Sequence, residues 1–264
     1  MSPVFSAAAK AQAMLLAAGR GERMRPLTDD CPKPLLQVQG HPLLHWHLQA
    51  LGQAGISRVL INTAWLGQHI ADRFGDVFVP ERLSDKREKL SNLSRLEILY
   101  SHEGQDFGAA LETAGGIVRA LPALDPVFWV LAGDVFTPGF AFCPEAMQRF
   151  TASGKLAHLW LLPNPAHNPR GDFGLDTELG LALNLPADDP RPRFTYSTIG
   201  LYRRELFAPP WCSIAAGNPL GTHAALAPLL RQAMAQSQVS AELYQGPWTD
   251  VGTPERLAQL NALP

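Results

Sequence analysis

Leu16 to Pro34 reads LAAGRGERMRPLTDDCPKP, a glycine-rich turn that directly follows an apolar run and then carries Arg23, Arg25 and Lys33. Gly19 and Gly21 let the backbone turn tightly and bring N–H groups against anionic oxygens, where a β-carbon would obstruct the approach. The cations beside them can neutralise charge on a phosphorus under attack, so this is the composition of a loop that grips a triphosphate. Two commoner phosphate loops fail against these letters. G-x-x-x-x-G-K-S/T occurs nowhere in the chain. G-x-G-x-x-G fails because Met24 stands three places after Gly21, and Pro26, Pro32 and Pro34 argue against a helix starting at the loop. What remains is a long extended loop with cations, delivered by a short buried strand over Ala13 to Ala18.

Working outward, Pro42 to Ala54 has apolar residues at helical spacing, stopped by Gly55, and Arg58 to Asn62 returns as a strand, which makes a βαβ unit. Leu66 to Phe74 reads as helix, Leu96 to Ser101 as strand, Thr113 to Leu121 as helix, and Val127 to Ala132 as the strongest strand. The alternation predicts an α/β fold, a Rossmann-like mixed sheet flanked by helices. The charged stretch between Gly75 and Arg95 reads as a mobile surface loop. Beyond Asp134 the alternation weakens. Leu156 to Leu162 and Arg193 to Tyr202 read as strands, separated by a segment rich in proline and glycine that can build the acceptor side of a pocket. Pro219 to Gln236 reads as helix and Val239 to Tyr244 as strand. Thr253 to Ala262 reads as a last helix, with Thr253 as N-cap and Pro254 at its first position.

With 264 residues and 46% hydrophobic content the chain can form one large α/β domain, taken here as residues 1–264. A net charge of −2 gives no support for a nucleic-acid or anionic-membrane partner. Cys31, Cys143 and Cys212 are too few and too widely spaced for a disulfide framework or a CxxC metal site, and a reducing cytoplasm fits them. No apolar run approaches the ~20 residues that span a bilayer.

Two aspartates complete the candidate site. Asp134 follows a buried strand in VFWVLAGDV, and Asp250 stands in WTDVG just before the last helix. Each alone has a bland reading, a turn for Gly133 and Asp134 and a helix cap for Asp250. Together they can share one Mg²⁺ with nucleotide oxygens, since magnesium takes few protein ligands and several from substrate phosphates. His45 and His47 are two apart on a helix and point away from each other, so they are expected at the helix surface and not as a metal pair. Phe128, Trp129 and Trp160 are expected in the core.

The opening run resembles the N-terminal motif of sugar-1-phosphate nucleotidylyltransferases, L-x-A-G-x-G-x-R-x-x-P-L-T followed by P-K-P, matched from Leu16 to Pro34. The resemblance implies the nucleotide-diphospho-sugar transferase fold, with a nucleotide-binding half over about 12–135 and a sugar-phosphate-binding half over about 136–264. It implies that Ala17, Ala18, Gly19 and Gly21 line the nucleotide, that Arg23 and Lys33 contact the phosphates at the reacting centre, and that Asp134 and Asp250 hold Mg²⁺. Tyr100 to Gly116 resembles the family's base-recognition stretch, with Glu103 and Thr113 as candidates, although Glu112, Thr113 and Gly116 read alone are helix-start residues with Thr113 as N-cap.

Three further stretches, INTAWLG from Ile61, NPAHNPRGDFGL from Asn164 and PWTDVGT from Pro247, resemble the branch of that family that transfers a uridylyl group from UTP to N-acetylmuramic acid 1-phosphate in peptidoglycan recycling. Under this resemblance Asp172 faces the sugar. Ala132 stands at a sugar-contact position where asparagine is common, and Thr198 stands where glycine is usual, which narrows the acceptor pocket. The alternatives within the family are a mannose-1-phosphate guanylyltransferase and a glucose-1-phosphate nucleotidylyltransferase, separated by the size of the base pocket near Glu103 and Thr113. A non-catalytic nucleotide-sugar sensor could dispense with Lys33, Asp134 or Asp250, and all three are present. Met24 argues against a nicotinamide-dependent oxidoreductase. Oligomeric state is not legible in the letters.

Overall fold

A computed structural model of the chain describes residues 10–81, 95–186 and 188–262. In chain order it holds β1 (Ala11–Ala17), β2 (Gln37–Val38), β3 (His41–Pro42), α1 (Leu43–Gln53), β4 (Arg58–Thr63), α2 (Gly67–Phe74), β5 (Val77–Phe78), β6 (Leu96–His102), α3 (Glu103–Phe107) and α4 (Glu112–Ala120). There follow β7 (Leu124–Ala132), β8 (Val135–Phe136), α5 (Pro144–Ser153), β9 (Ala157–Leu162), β10 (Phe173–Asp176), β11 (Leu181–Leu183), β12 (Arg193–Arg203), α6 (Leu226–Met234), β13 (Val239–Leu243), β14 (Thr249–Asp250) and α7 (Pro254–Ala262). Among the described residues no helix is long and apolar enough to cross a membrane. Of the surface loop expected between Gly75 and Arg95, residues 82–94 lie outside the described residues, and its first part instead holds β5, Val77–Phe78, paired with β6.

The α/β architecture divides into two compact units, each gathered from separate stretches of chain. The first draws on Met1–Ala110, Ala132–Pro144 and Pro247–Pro264, the second on Leu111–Leu131 and Glu145–Gly246. In the first, β1 pairs parallel with β4 and β4 parallel with β6, while the short β5 pairs antiparallel at the edge. Val59, Leu60 and Ile61 of β4 are all fully buried, the continuous apolar run of a strand covered on both faces. α1 ends where Gly55 takes a left-handed φ of 81°. The hairpin of β2 and β3 turns on Gln39 and Gly40, at φ 50° and 83°. The Asn261 side chain of α7 clasps that hairpin, accepting from Gln39 N at 2.8 Å and donating to Gln37 O at 2.9 Å.

One apolar cluster of this unit gathers Met24, Val38, Leu43, Phe136, Val251 and Leu257. Met24 belongs to the glycine-rich loop, Phe136 follows Asp134 by two residues and Val251 follows Asp250, so burying these three side chains together brings the loop and both aspartates to one place. Trp46 of α1 packs on the same cluster and its indole N–H donates to Val38 O at 3.0 Å.

The second unit is a mixed sheet in the order β10-β11-β13-β9-β12-β7. β12 pairs antiparallel with both β7 and β9, and β13 pairs parallel with β9. Trp129 and Trp160 stack at 5.0 Å between ring centres, and Phe128 is fully buried, so these aromatics are core. The indole of Trp160 donates to Glu242 Oε1 at 2.6 Å.

The structure departs from sequence expectation in several places. The helix expected over Pro219 to Gln236 forms only over α6. Its first part is held in other bonds: Thr222 gives its N–H and its carbonyl to the Asn218 side chain at 2.9 and 2.8 Å, and Ala224 N donates to Leu111 O at 3.1 Å. α4 starts at Glu112, and Thr113 is not its N-cap. The Ala224 carbonyl fills that role, accepting from Ala114 N and Gly115 N at 2.9 and 3.0 Å. His45 and His47 are not at the helix surface. Both are buried, His45 stacked on His41 at 4.3 Å between ring centres, because α1 is packed on more than one side. α3, α5 and the β10–β11 hairpin were not anticipated.

Candidate active site

The glycine-rich loop leaves β1 at Ala17 and Ala18, both buried. Gly19 has no protein atom within 4 Å of where a β-carbon would sit. Packing of the chain on itself therefore does not demand glycine there, and the backbone is left open to close approach. Gly21 is different: its φ is 68°, and a β-carbon would lie 3.1 Å from Thr28 and 3.2 Å from Lys33. Thr28 locks this turn, its hydroxyl donating to Gly21 O at 2.8 Å. Arg20 and Trp65 both donate to the Thr28 carbonyl, at 2.9 and 3.0 Å, and the Arg20 guanidinium lies 3.6 Å from the centre of the Trp65 ring. Arg20 and Arg25 are also engaged with Asp29. Arg23, by contrast, is exposed and has no ion pair among the described residues. The loop thus spends two arginines on its own shape and leaves one for a ligand.

Lys33 is 7% exposed and donates from Nζ to Asp134 Oδ2 at 2.6 Å. Asp134 is brought there by Gly133, whose N–H donates to Leu16 O at 2.8 Å and whose missing β-carbon would sit 3.0 Å from that same oxygen. β8 pairs antiparallel with β14 so that Val135 stands opposite Asp250, and Val251 N donates to the Asp134 carbonyl at 3.0 Å. Asp134 therefore directly precedes a strand that is hydrogen-bonded to the one bearing Asp250. Arg256 of α7 donates to Asp250 Oδ2 at 2.9 Å. A β-carbon on Gly252 would lie 2.9 Å from both Asp250 carboxylate oxygens and collide with the Arg256 guanidinium. Behind them His47 hydrogen-bonds the backbone of Val135, and burial pushes its imidazole down to about 4.

Glu103 is fully buried and its carboxylate accepts from Asn62 Nδ2 at 2.7 Å. Asn62 Oδ1 in turn accepts from Ala17 N at 2.9 Å, so Glu103 reaches the end of β1 through Asn62. Ala132, partly buried at the end of β7, belongs to the first unit with these residues. Thr113 and Asp172 belong to the second. Thr113 sits partly buried in the first turn of α4. Asp172 fastens its own loop, Oδ2 accepting from Tyr196 N at 2.8 Å and from Asn168 Nδ2 at 3.3 Å.

The donor set suits a hard divalent cation. Asp134 and Asp250 supply oxygen, each with one oxygen steadied by a cation, and among the described residues no group of three or more His, Cys, Asp or Glu could hold a metal by itself. A metal needing a full protein cage does not fit; magnesium, which keeps water and substrate phosphates as ligands, does. Sequence reasoning missed Arg256, Asn62 and His47. Only Arg256 carried a usable signal, a basic residue one helical turn past the WTDVG run.

Comparison with known proteins bears on this geometry. The family model described as Nucleotidyl transferase matches residues 12–177. The N-acetylmuramate alpha-1-phosphate uridylyltransferase of Neisseria meningitidis serogroup B is 42% identical, over 96% of this chain and 97% of that protein. The protein of the same name from Caulobacter vibrioides is 27% identical over 92% of each chain. Mannose-1-phosphate guanyltransferase beta-A of Xenopus laevis is 27% identical over 92% of this chain and 62% of its own length. In fold, the chain is similar to the crystal structure of a putative glucose-1-phosphate thymidylyltransferase from Bacillus anthracis, with a TM-score of 0.71 at 17% identity over 95% of this chain and 94% of that one.

Proposed function

Because this chain belongs to the nucleotidyl transferase family, we propose that it transfers a uridylyl group from UTP to N-acetylmuramic acid 1-phosphate, giving UDP-N-acetylmuramic acid and pyrophosphate. An oxygen of the sugar phosphate attacks the α-phosphorus in line, the bond from that phosphorus to the bridging oxygen breaks, and pyrophosphate leaves with the electron pair. No covalent enzyme intermediate is needed. The chain's task is to align two anions that repel each other and to stabilise the charge that builds on the phosphorus.

Ala17, Ala18 and the N–H groups at Gly19 and Gly21 receive the nucleotide, Arg23 meets its phosphates, and Lys33 faces the reacting phosphorus beside Asp134. Glu103 acts by fixing Asn62 and the end of β1, and Thr113 meets the uracil. Ala132 and Asp172 serve the sugar, Asp172 through the loop it fastens. Asp134 and Asp250 would hold Mg²⁺, which when bound neutralises phosphate oxygens. The same reading puts the reaction in peptidoglycan recycling, in the cytoplasm.

The observation that carries the proposal is the meeting of Lys33 with Asp134, 101 residues away in the chain, directly before the strand that pairs with the one bearing Asp250. Identity of 42% along nearly the whole chain to the Neisseria enzyme supports the choice of acceptor. Mass spectrometry of a reaction holding Mg²⁺, N-acetylmuramic acid 1-phosphate, mannose 1-phosphate and equal UTP, GTP and dTTP tests it. UDP-N-acetylmuramic acid is the expected main product. A GDP-sugar would replace the proposal with a guanylyl transfer.

A further inference from the structure

The carbonyl of Thr28 takes two side-chain donors at once. Arg20 Nη1 donates to it at 2.9 Å and the indole N–H of Trp65 at 3.0 Å, which fills both lone pairs of that oxygen. The two donors also hold each other, the Arg20 guanidinium lying 3.6 Å from the centre of the Trp65 ring. Through its hydroxyl, Thr28 in turn donates to Gly21 O at 2.8 Å. A chain of contacts thus runs from Trp65 through Thr28 to the left-handed turn at Gly21, and Arg20, the residue between the two loop glycines, closes it into a ring.

Trp65 is placed from outside the loop, within the same compact unit. It follows β4, whose Thr63 stands opposite Ala17 of β1, and the turn that carries it is closely determined. Leu66 stands in the left-handed region at φ 49°, and a β-carbon on Gly67 would lie 2.7 Å from the Thr63 side chain. Gly104 packs against the same turn, where a β-carbon would lie 2.7 Å from Ala64 O. A strained turn of this kind persists only where its neighbours hold it, and it gives the indole a fixed support. A loop with two glycines loses much conformational freedom when it closes on an anion, and a brace that sets its shape beforehand removes part of that cost.

We propose that Trp65 and Arg20 are positioning residues that brace the glycine-rich loop for the triphosphate, acting through the Thr28 carbonyl without touching the nucleotide. The inference rests on the proposed function, in which this loop receives UTP. Calorimetry of UTP binding in the presence of Mg²⁺, and steady-state constants with UTP and N-acetylmuramic acid 1-phosphate, test it. The proteins are the wild type, Arg20→Met, Arg20→Lys and Trp65→Phe, with thermal melts to establish folding. Trp65→Phe keeps a ring beneath the guanidinium and removes the N–H donor. Arg20→Lys keeps a cation and a donor.

Arg20→Met and Trp65→Phe are each expected to weaken UTP binding and to raise KM for UTP about tenfold, leaving kcat within about threefold of the wild type. Arg20→Lys is expected to recover most of the loss. A loss with Arg20→Met alone, Trp65→Phe binding UTP as the wild type does, would put Arg20 on the ligand and overturn the brace, as would a loss confined to kcat. Should Trp65→Phe fail to fold, Arg20→Met still decides, since wild-type affinity there overturns the brace. A wild type that does not bind UTP would overturn the functional reading itself, and this inference with it. A wild type that binds UTP while both variants bind it equally well would overturn the brace alone.

Discussion

Thr198 stands at φ 66° in β12, where the register against β9 shifts between Tyr196 and Gly200, and its buried hydroxyl has no hydrogen-bond partner among the described residues. A β-branched residue in the left-handed region costs about 1–2 kcal/mol. Thr198→Gly is therefore expected to stabilise the protein by about 1 kcal/mol, read as a higher urea midpoint; a lower midpoint would mean that the threonine makes up its strain elsewhere. Gly252 presents the opposite case. Gly252→Ala forces the flexible ends of Arg256 and Asp250 aside while leaving the backbone alone. It is expected to melt within a few degrees of the wild type and to lose about tenfold or more in kcat. Wild-type turnover would remove Arg256 from the account of how Asp250 is placed.

The elements were legible where periodicity and length agreed. β1, β4, β6, β7, β9, β12 and β13 all fall where apolar runs put them, and Gly55 ends α1 as its position implies. Pro254 opens α7, with Thr253 Oγ1 accepting from Arg256 N at 3.4 Å. Long-range bonds defeated the rest. In Pro219 to Ala225 the chain turns locally at Gly221, at φ 63° with its N–H donating to Asn218 O at 3.1 Å, and the Asn218 side chain and the N–H groups of α4 claim the rest of that backbone. The β10–β11 hairpin hides in a stretch rich in glycine and proline, its turn signalled only by Asp176 Oδ1, which accepts from Glu178 N and Leu179 N at 3.0 and 2.9 Å. Asn218 is fully buried and bonds Gly115 O, Thr222 O and Thr222 N. Asn218→Ala is expected to cost about 2–3 kcal/mol in urea unfolding, and a loss below about 0.5 kcal/mol would show that solvent replaces those bonds.

For the molecule as a whole, the candidate site was half legible. The glycine loop, Lys33 and both aspartates stood out as letters, whereas Arg256, Asn62 and His47 act on them from sites that no local pattern marks. His47 also ties the site to the stability of the fold. Burial holds its imidazole neutral down to about 4, while the unfolded chain protonates it near 6.5. Between those values the unfolded state binds the extra proton, so stability is complete above pH 6.5 and falls as pH drops toward 4. The share lost by pH 5 is about 2 kcal/mol. Urea unfolding of wild type and His47→Asn at pH 7.5 and pH 5 should show a steeper loss in the wild type, and parallel losses would contradict the burial argument.

The central claim is the identity of the acceptor, and pyrophosphate release with UTP and Mg²⁺ reads it directly. The comparison is of kcat/KM for the 1-phosphates of N-acetylmuramic acid, N-acetylglucosamine, glucose and mannose. The account predicts the highest value for N-acetylmuramic acid 1-phosphate, by about tenfold or more over N-acetylglucosamine 1-phosphate. A higher value for any of the neutral sugars would contradict it.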